Sequence, residues 1–246
     1  MSLDLNSDLG EGLGDDAAML EIVTSANIAC GFHAGDPSVM RRTCALAVAK
    51  QVRIGAHIGY RDLAGFGRRE ISVEPAQLRD EVLYQIGSLD AFARAEGDRV
   101  RYVKPHGALY HSASKDRIVA DAVLAAMAEY DLDLALLGPA GTQLERAADD
   151  AKIRFVGEGF ADRAYTPSGL LAPRGVVGSV LRPDEAVVQA VSIAMSGTTR
   201  TVDGSDQVAV SAASICVHGD SPAAVEMARL IRAALDDVGV SLESFG

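Results

Sequence analysis

NIACGFH (27–33), IGAH (54–57), YVKPH (102–106) and SICVH (214–218) share one design: a short apolar run, a histidine, then a glycine within two residues. Short apolar runs bounded by turn residues read as buried strands. Longer segments of helical spacing lie between them. Leu3 to Leu5 is an opening strand and NSDLGEGLGDD its polar loop. Further strands are expected at Asn27–Cys30, Arg53–His57, Val100–Lys104, Leu132–Leu137, Arg154–Val156 and Ala209–Val217. Helices are expected at Pro37–Gln51, Pro75–Glu96, Asp116–Glu129, Thr142–Asp150, Pro183–Met195 and Pro222–Val238, with Gly157–Gly178 irregular. In the second helix Leu78, Val82, Ile86, Leu89 and Phe92 keep one apolar face. Strand and helix alternating at this spacing give βα units and a mostly parallel sheet. About seven units can close into a barrel, with a doubly wound open sheet as the alternative. No linker or charge block interrupts the pattern, so residues 1–246 are expected to form one domain.

In a barrel of βα units the carboxyl ends of the strands share one rim, and active sites are built there. One histidine at a strand end is ordinarily a hydrogen-bonded core or loop residue. Four at the same place in the repeat (His33, His57, His106 and His218) point to a common mouth, and only His111 falls outside the pattern. Carboxylates accompany them: Asp8 and Glu11 after the first strand, Asp36, Asp62, Glu158, Asp162 and Asp220. Histidine with carboxylate serves acid–base chemistry near neutral pH or binds a divalent metal. The metal is left open, with Asp8, His57 and His106 as candidate ligands. Asp15, Asp16 and Asp36 are better read as helix caps. Lys104 shares a strand face with His106 and, if buried, needs a carboxylate partner such as Asp4 or Asp8, or a substrate. Asn6, Arg68, Arg69 and Arg163 are expected to hold an anionic substrate, since arginine binds carboxylate and phosphate through two parallel hydrogen bonds.

The chain has 34 acidic and 23 basic residues, a net charge of −11. That balance disfavours nucleic acid and anionic membrane surfaces. No run approaches the ~18 apolar residues of a membrane span. Cys30, Cys44 and Cys216 are far apart, which suits a reducing cytoplasm better than a disulfide framework. No Gly-Lys dipeptide occurs, so there is no Walker loop, and GxSxG and HExxH are also missing.

DLNSDLGEG (4–12), SANIACGFHAGDP (25–37), GYRDLAGFGRRE (59–70), VKPHGALY (103–110), GFADRAY (159–165) and SICVHGDSP (214–222) together resemble the LamB/YcsF family across essentially the whole chain. The resemblance implies a distorted (β/α)7 TIM-like barrel similar to the glycoside hydrolase/deacetylase superfamily. It implies a hydrolase that, with two partner subunits B and C, opens 5-oxoproline to glutamate using ATP. Matching positions put Asp8, Glu11, His33, His57, Lys104, His106, Asp162 and His218 in the catalytic site. Two positions depart from the family pattern: Ile58 stands where proline is usual, and His111 where asparagine is usual. The residues alone leave two other readings open: a stand-alone metal-dependent deacetylase or amidohydrolase, and a non-catalytic lactam-binding subunit.

Overall fold

A computed structural model of the chain describes residues 2–219 and 223–245. Asp220 and Pro222 therefore lie outside the described residues. Six parallel strands follow in order, β1 (Ser2–Leu9), β2 (Ser25–Ala29), β3 (Arg53–Ile58), β4 (Tyr102–Pro105), β5 (Ala135–Gly138) and β6 (Phe155–Phe160). A small antiparallel hairpin, β7 (Thr198–Arg200) and β8 (Gln207–Ala209), precedes β9 (Ser214–Cys216). β9 pairs with β6 on one side and with β1 on the other, and this closes a seven-stranded parallel barrel. The closure excludes the open sheet. A last short strand, β10 (Ser241–Leu242), adds to the N-terminal end of β1.

Helices α2 (Pro37–Ala49), α3 (Pro75–Ala95), α5 (Arg117–Tyr130), α6 (Gln143–Ala151), α7 (Pro183–Ser196) and α8 (Ala224–Asp237) account for the expected helical segments within a few residues. Asp36 caps α2, accepting the Ser38 and Val39 amides at 2.8 Å. Two helices carry too short a pattern to be legible in the sequence: α1 (Asp16–Met19), one turn capped by Asp15, and α4 (Gly107–Lys115), which starts directly after His106. The β7–β8 hairpin replaces what reads in sequence as loop and as the start of a single strand Ala209–Val217.

The strand ends differ from expectation in a way that matters for the site. β1 runs to Leu9, so Asn6 and Asp8 are strand residues, not loop residues. β6 likewise runs to Phe160 and carries Glu158. Polar residues read as loop because exposed backbone is their usual setting. Here the ordinary layering is reversed. Leu3, Leu5 and Leu9 join the apolar shell with helix residues such as Val82, Ile86, Val123 and Ile231. Asp4, Asn6 and Asp8, alternating with them, turn inward to polar partners. The helices thus keep an apolar layer against the sheet, while the barrel interior is a buried polar column. No helix among the described residues is long and apolar enough to cross a membrane.

Candidate active site

Lys104 sits at the centre of the column. Its ammonium lies 2.9 Å from Asp8 Oδ1 and 2.8 Å from Glu158 Oε1, with Asn6 Oδ1 at 3.4 Å and Cys216 Sγ at 3.3 Å. Phe160 covers it, the ring centroid 5.3 Å away. Burial works against the charge, but Asp8 leads the neighbours that outweigh it and raise the Lys104 pKa well above the ordinary lysine value. Burial equally works against the Asp8 carboxylate, and His57 and Lys104 hold it well below the usual range.

Glu11, His33, His57 and His106 form a second group beside Asp8, their ligating atoms all within 4.8 Å of one another. The His33 and His106 rings stack at 3.8 Å, nearly parallel. Backbone carbonyls decide which nitrogens carry hydrogen, because a carbonyl only accepts. His57 donates Nδ1–H to the Lys104 carbonyl at 3.1 Å, and His106 donates Nε2–H to the Phe66 carbonyl at 2.9 Å. The other two nitrogens, His57 Nε2 and His106 Nδ1, face each other at 2.9 Å. Glu11 Oε1 lies 3.7 Å from the first, 3.4 Å from the second and 3.3 Å from His33 Nε2. Burial, reinforced by the other histidines, pushes His33 and His106 well below the ordinary imidazole value, so both are neutral near pH 7. Burial and then Asp8 raise Glu11. These four residues are the described group best able to hold a divalent cation. The grouping departs from the expected Asp8, His57 and His106: Asp8 reaches His57 at 3.3 Å, but its other oxygen is taken by Lys104.

His218 stands on the opposite wall. Its Nδ1 meets both Asp162 oxygens at 2.9 and 3.0 Å, its ring stacks on Phe160, and its Nε2 lies 3.9 Å from Asp8 Oδ2. Burial lowers the His218 pKa, but Asp162 outweighs it and raises the imidazole above its ordinary value. Burial raises Asp162, and the His218 charge turns that into a net lowering.

These groups open into a cavity of about 230 Å³ lined by Asp8, Glu11, His57, Lys104, His106 and His218, with Tyr110, Phe160, Arg68, Arg163 and Arg174 around it. His33 and Asp162 support the lining from behind without entering it. Asn6 is fully buried beneath Lys104 and bonds Ser214 and Asn27. The GFGRRE segment divides its arginines. Arg68 lies over the Phe66 ring at the cavity, whereas Arg69 clamps Asp62, whose carboxylate also accepts the Gly65 amide. Gly67 in this loop has φ +62, and a Cβ there would come within 2.7–2.8 Å of His33 and His106. Arg163 holds the segment 161–181 over the mouth through the carbonyls of Ser179 and Ala172. The departures fall apart in space: His111 lines the cavity, and Ile58 is buried at the end of β3.

Asn27, Tyr102, Phe160, Cys216 and Arg174 join the site without being evident in the sequence. A signal existed for some of them. A buried lysine demands carboxylates on neighbouring inward positions, which points to Glu158. The in-register partner of Asp8 on β2 is Asn27. Arg174 comes from an irregular loop and leaves no periodic trace.

A protein of Nocardia farcinica, named as the A chain of 5-oxoprolinase, is 69% identical to this chain over all of both. Its namesake in Kocuria rhizophila is 53% identical over 99% of this chain and 98% of the relative. A lactam utilization protein from Thermus thermophilus, of known crystal structure, superposes with a TM-score of 0.93 at 44% identity over the full length of both. A peptidoglycan N-acetylglucosamine deacetylase from Eubacterium rectale shares the fold alone, with a TM-score of 0.51 at 10% identity over all of this chain and 90% of that one. The LamB/YcsF family model matches residues 3–246, and the chain belongs to the LamB/YcsF family.

Proposed function

We propose that this chain is the first of the three components of an ATP-dependent 5-oxoprolinase and performs the hydrolytic opening of the lactam. The observation that carries the reading is the coincidence of a full-length likeness to proteins of that name with a small cavity floored by Asp8, Lys104 and His218. Lactam opening needs a base to take a proton from water, a donor to stabilise charge growing on the carbonyl oxygen, and an acid for the departing nitrogen. Oppositely shifted neighbours assign these roles. Asp8, held ionised, is the base. His218, held protonated by Asp162, gives its Nε2 proton to the nitrogen as the C–N bond breaks. Lys104 stabilises developing negative charge, and Arg68 and Arg174 hold the substrate's anionic groups.

Glu11, His33, His57 and His106 fit a divalent cation. Two neutral imidazole nitrogens facing each other at 2.9 Å beside a carboxylate are an acceptor-only cluster that calls for a positive charge between them. Such an ion, when bound, polarises a carbonyl or lowers the pKa of water. ATP raises the electrophilicity of an unreactive amide by phosphorylating its carbonyl oxygen. Lacking a Gly-Lys phosphate loop, this chain receives the activated lactam from partner subunits B and C.

The test is glutamate release from 5-oxoproline and ATP, by this chain alone and with subunits B and C. Turnover in the mixture that Asp8→Asn and His218→Gln abolish, with the fold intact by circular dichroism, supports the assignment. Full turnover in either variant removes the hydrolytic role and leaves a lactam-binding subunit.

A further inference from the structure

Asp8 Oδ1 accepts from two donors inside the barrel. One is Lys104. The other is the Asn27 side-chain amide, at 2.8 Å. A carboxylate only accepts, so Asn27 must turn its NH2 toward Asp8, and the same nitrogen donates to Asn6 Oδ1 at 2.7 Å. Asn27 Oδ1 therefore points away and accepts the Tyr102 hydroxyl at 2.6 Å. Tyr102 stands on β4 and Asn27 on β2, so the phenol must cross β3. It crosses at Gly55, where a Cβ would overlap the Tyr102 ring. The Phe245 ring meets the phenol edge to face at 4.9 Å. With Oδ1 held from below, Asp8 Oδ2 is left to His57, His218 and the cavity.

We propose that Tyr102 and Asn27, seated over Gly55, are positioning residues that orient Asp8 for its role in the site. Neither lines the cavity. They act through Asp8, and their contribution therefore falls on turnover and not on substrate binding. The geometry stands on its own, and only the kinetic readout rests on the proposed lactam hydrolysis.

Tyr102→Phe removes one hydroxyl and keeps the ring. In the three-subunit assay it is expected to lower kcat about tenfold, the scale of one buried hydrogen bond, with KM changed less than about twofold. Gly55→Ala, which displaces the ring, is expected to do the same. In an Asn27→Ala background Tyr102→Phe should add almost nothing, because the hydroxyl then has no amide to anchor. Unchanged kcat in Tyr102→Phe, or equal losses in both backgrounds, overturns the proposal. A second measurement is independent of turnover. Exchange of the Asn27 side-chain amide protons with solvent, followed by NMR, should be slow in the wild type and faster in Tyr102→Phe. Unchanged exchange overturns the relay. If the wild-type mixture releases no glutamate, it is the assigned reaction that falls, and exchange still decides the relay.

Discussion

Replacing Lys104 with Met tests whether the polar column is held together by charge. Methionine keeps the length and roughly the volume of lysine, so packing is nearly conserved. The substitution removes the ammonium 2.9 Å from Asp8 and 2.8 Å from Glu158, both carboxylates being buried. Removing one partner of a buried ion pair costs about 3–5 kcal/mol. That is a large share of the roughly 5–15 kcal/mol that holds a domain folded. Urea denaturation at pH 7 should show the loss as a lower midpoint with an unchanged slope. The companion is the triple variant Lys104→Met, Asp8→Asn, Glu158→Gln. It removes the stranded charges along with their counterion and should regain most of the lost stability. A loss under about 1 kcal/mol in Lys104→Met would show that Lys104 is not the counterion. A triple variant as unstable as the single one would show that packing, and not charge, carries the effect.

Other outcomes follow from the same geometry. The purified chain should hold a divalent metal at one per molecule, with Glu11→Ala and His106→Ala losing it by elemental analysis; undiminished content in both variants rejects these ligands. Chelation should lower both turnover and the melting temperature. The Asp162–His218 pair gives a signed pH dependence. The raised His218 contributes stability that is full below its unfolded value of about 6.5 and is lost as pH rises through its folded value. The lowered Asp162 contributes above about pH 4 and loses that contribution as pH falls through its folded value. The stability advantage of wild type over Asp162→Asn should therefore peak between about pH 4 and 6.5 and shrink above it, and a flat difference from pH 5 to 9 refutes the pairing. Gly67→Ala combines a left-handed backbone with a clash on His33 and His106. It should destabilise by at least about 1 kcal/mol and weaken metal retention.

The sequence by itself determined the barrel class and four of the strand-end histidines, because both follow from periodicity. Apolar runs alternate with helical faces, and each run ends at the same kind of residue. It also marked Lys104 as a residue needing a partner. What periodicity could not settle was where the strands end and what fills the barrel. Asn6, Asp8 and Glu158 look like loop residues in one dimension, since polar groups in a strand interior are costly unless satisfied. Only closure of β9 against both β1 and β6 brings Glu158 to Lys104 and places the Ser214 hydroxyl on Asp4. The division of labour between Arg68 and Arg69 was equally illegible. Adjacent in sequence, they are separated by a tight turn that the Asp62 carboxylate organises. The tautomers of His57 and His106, and with them the acceptor-only cluster, depend on two backbone carbonyls, Lys104 and Phe66, supplied by other segments of the chain. Hydrogen-bond partners distant in sequence are a property of the closed fold, and they decide which of the strand-end groups accept, donate or carry charge.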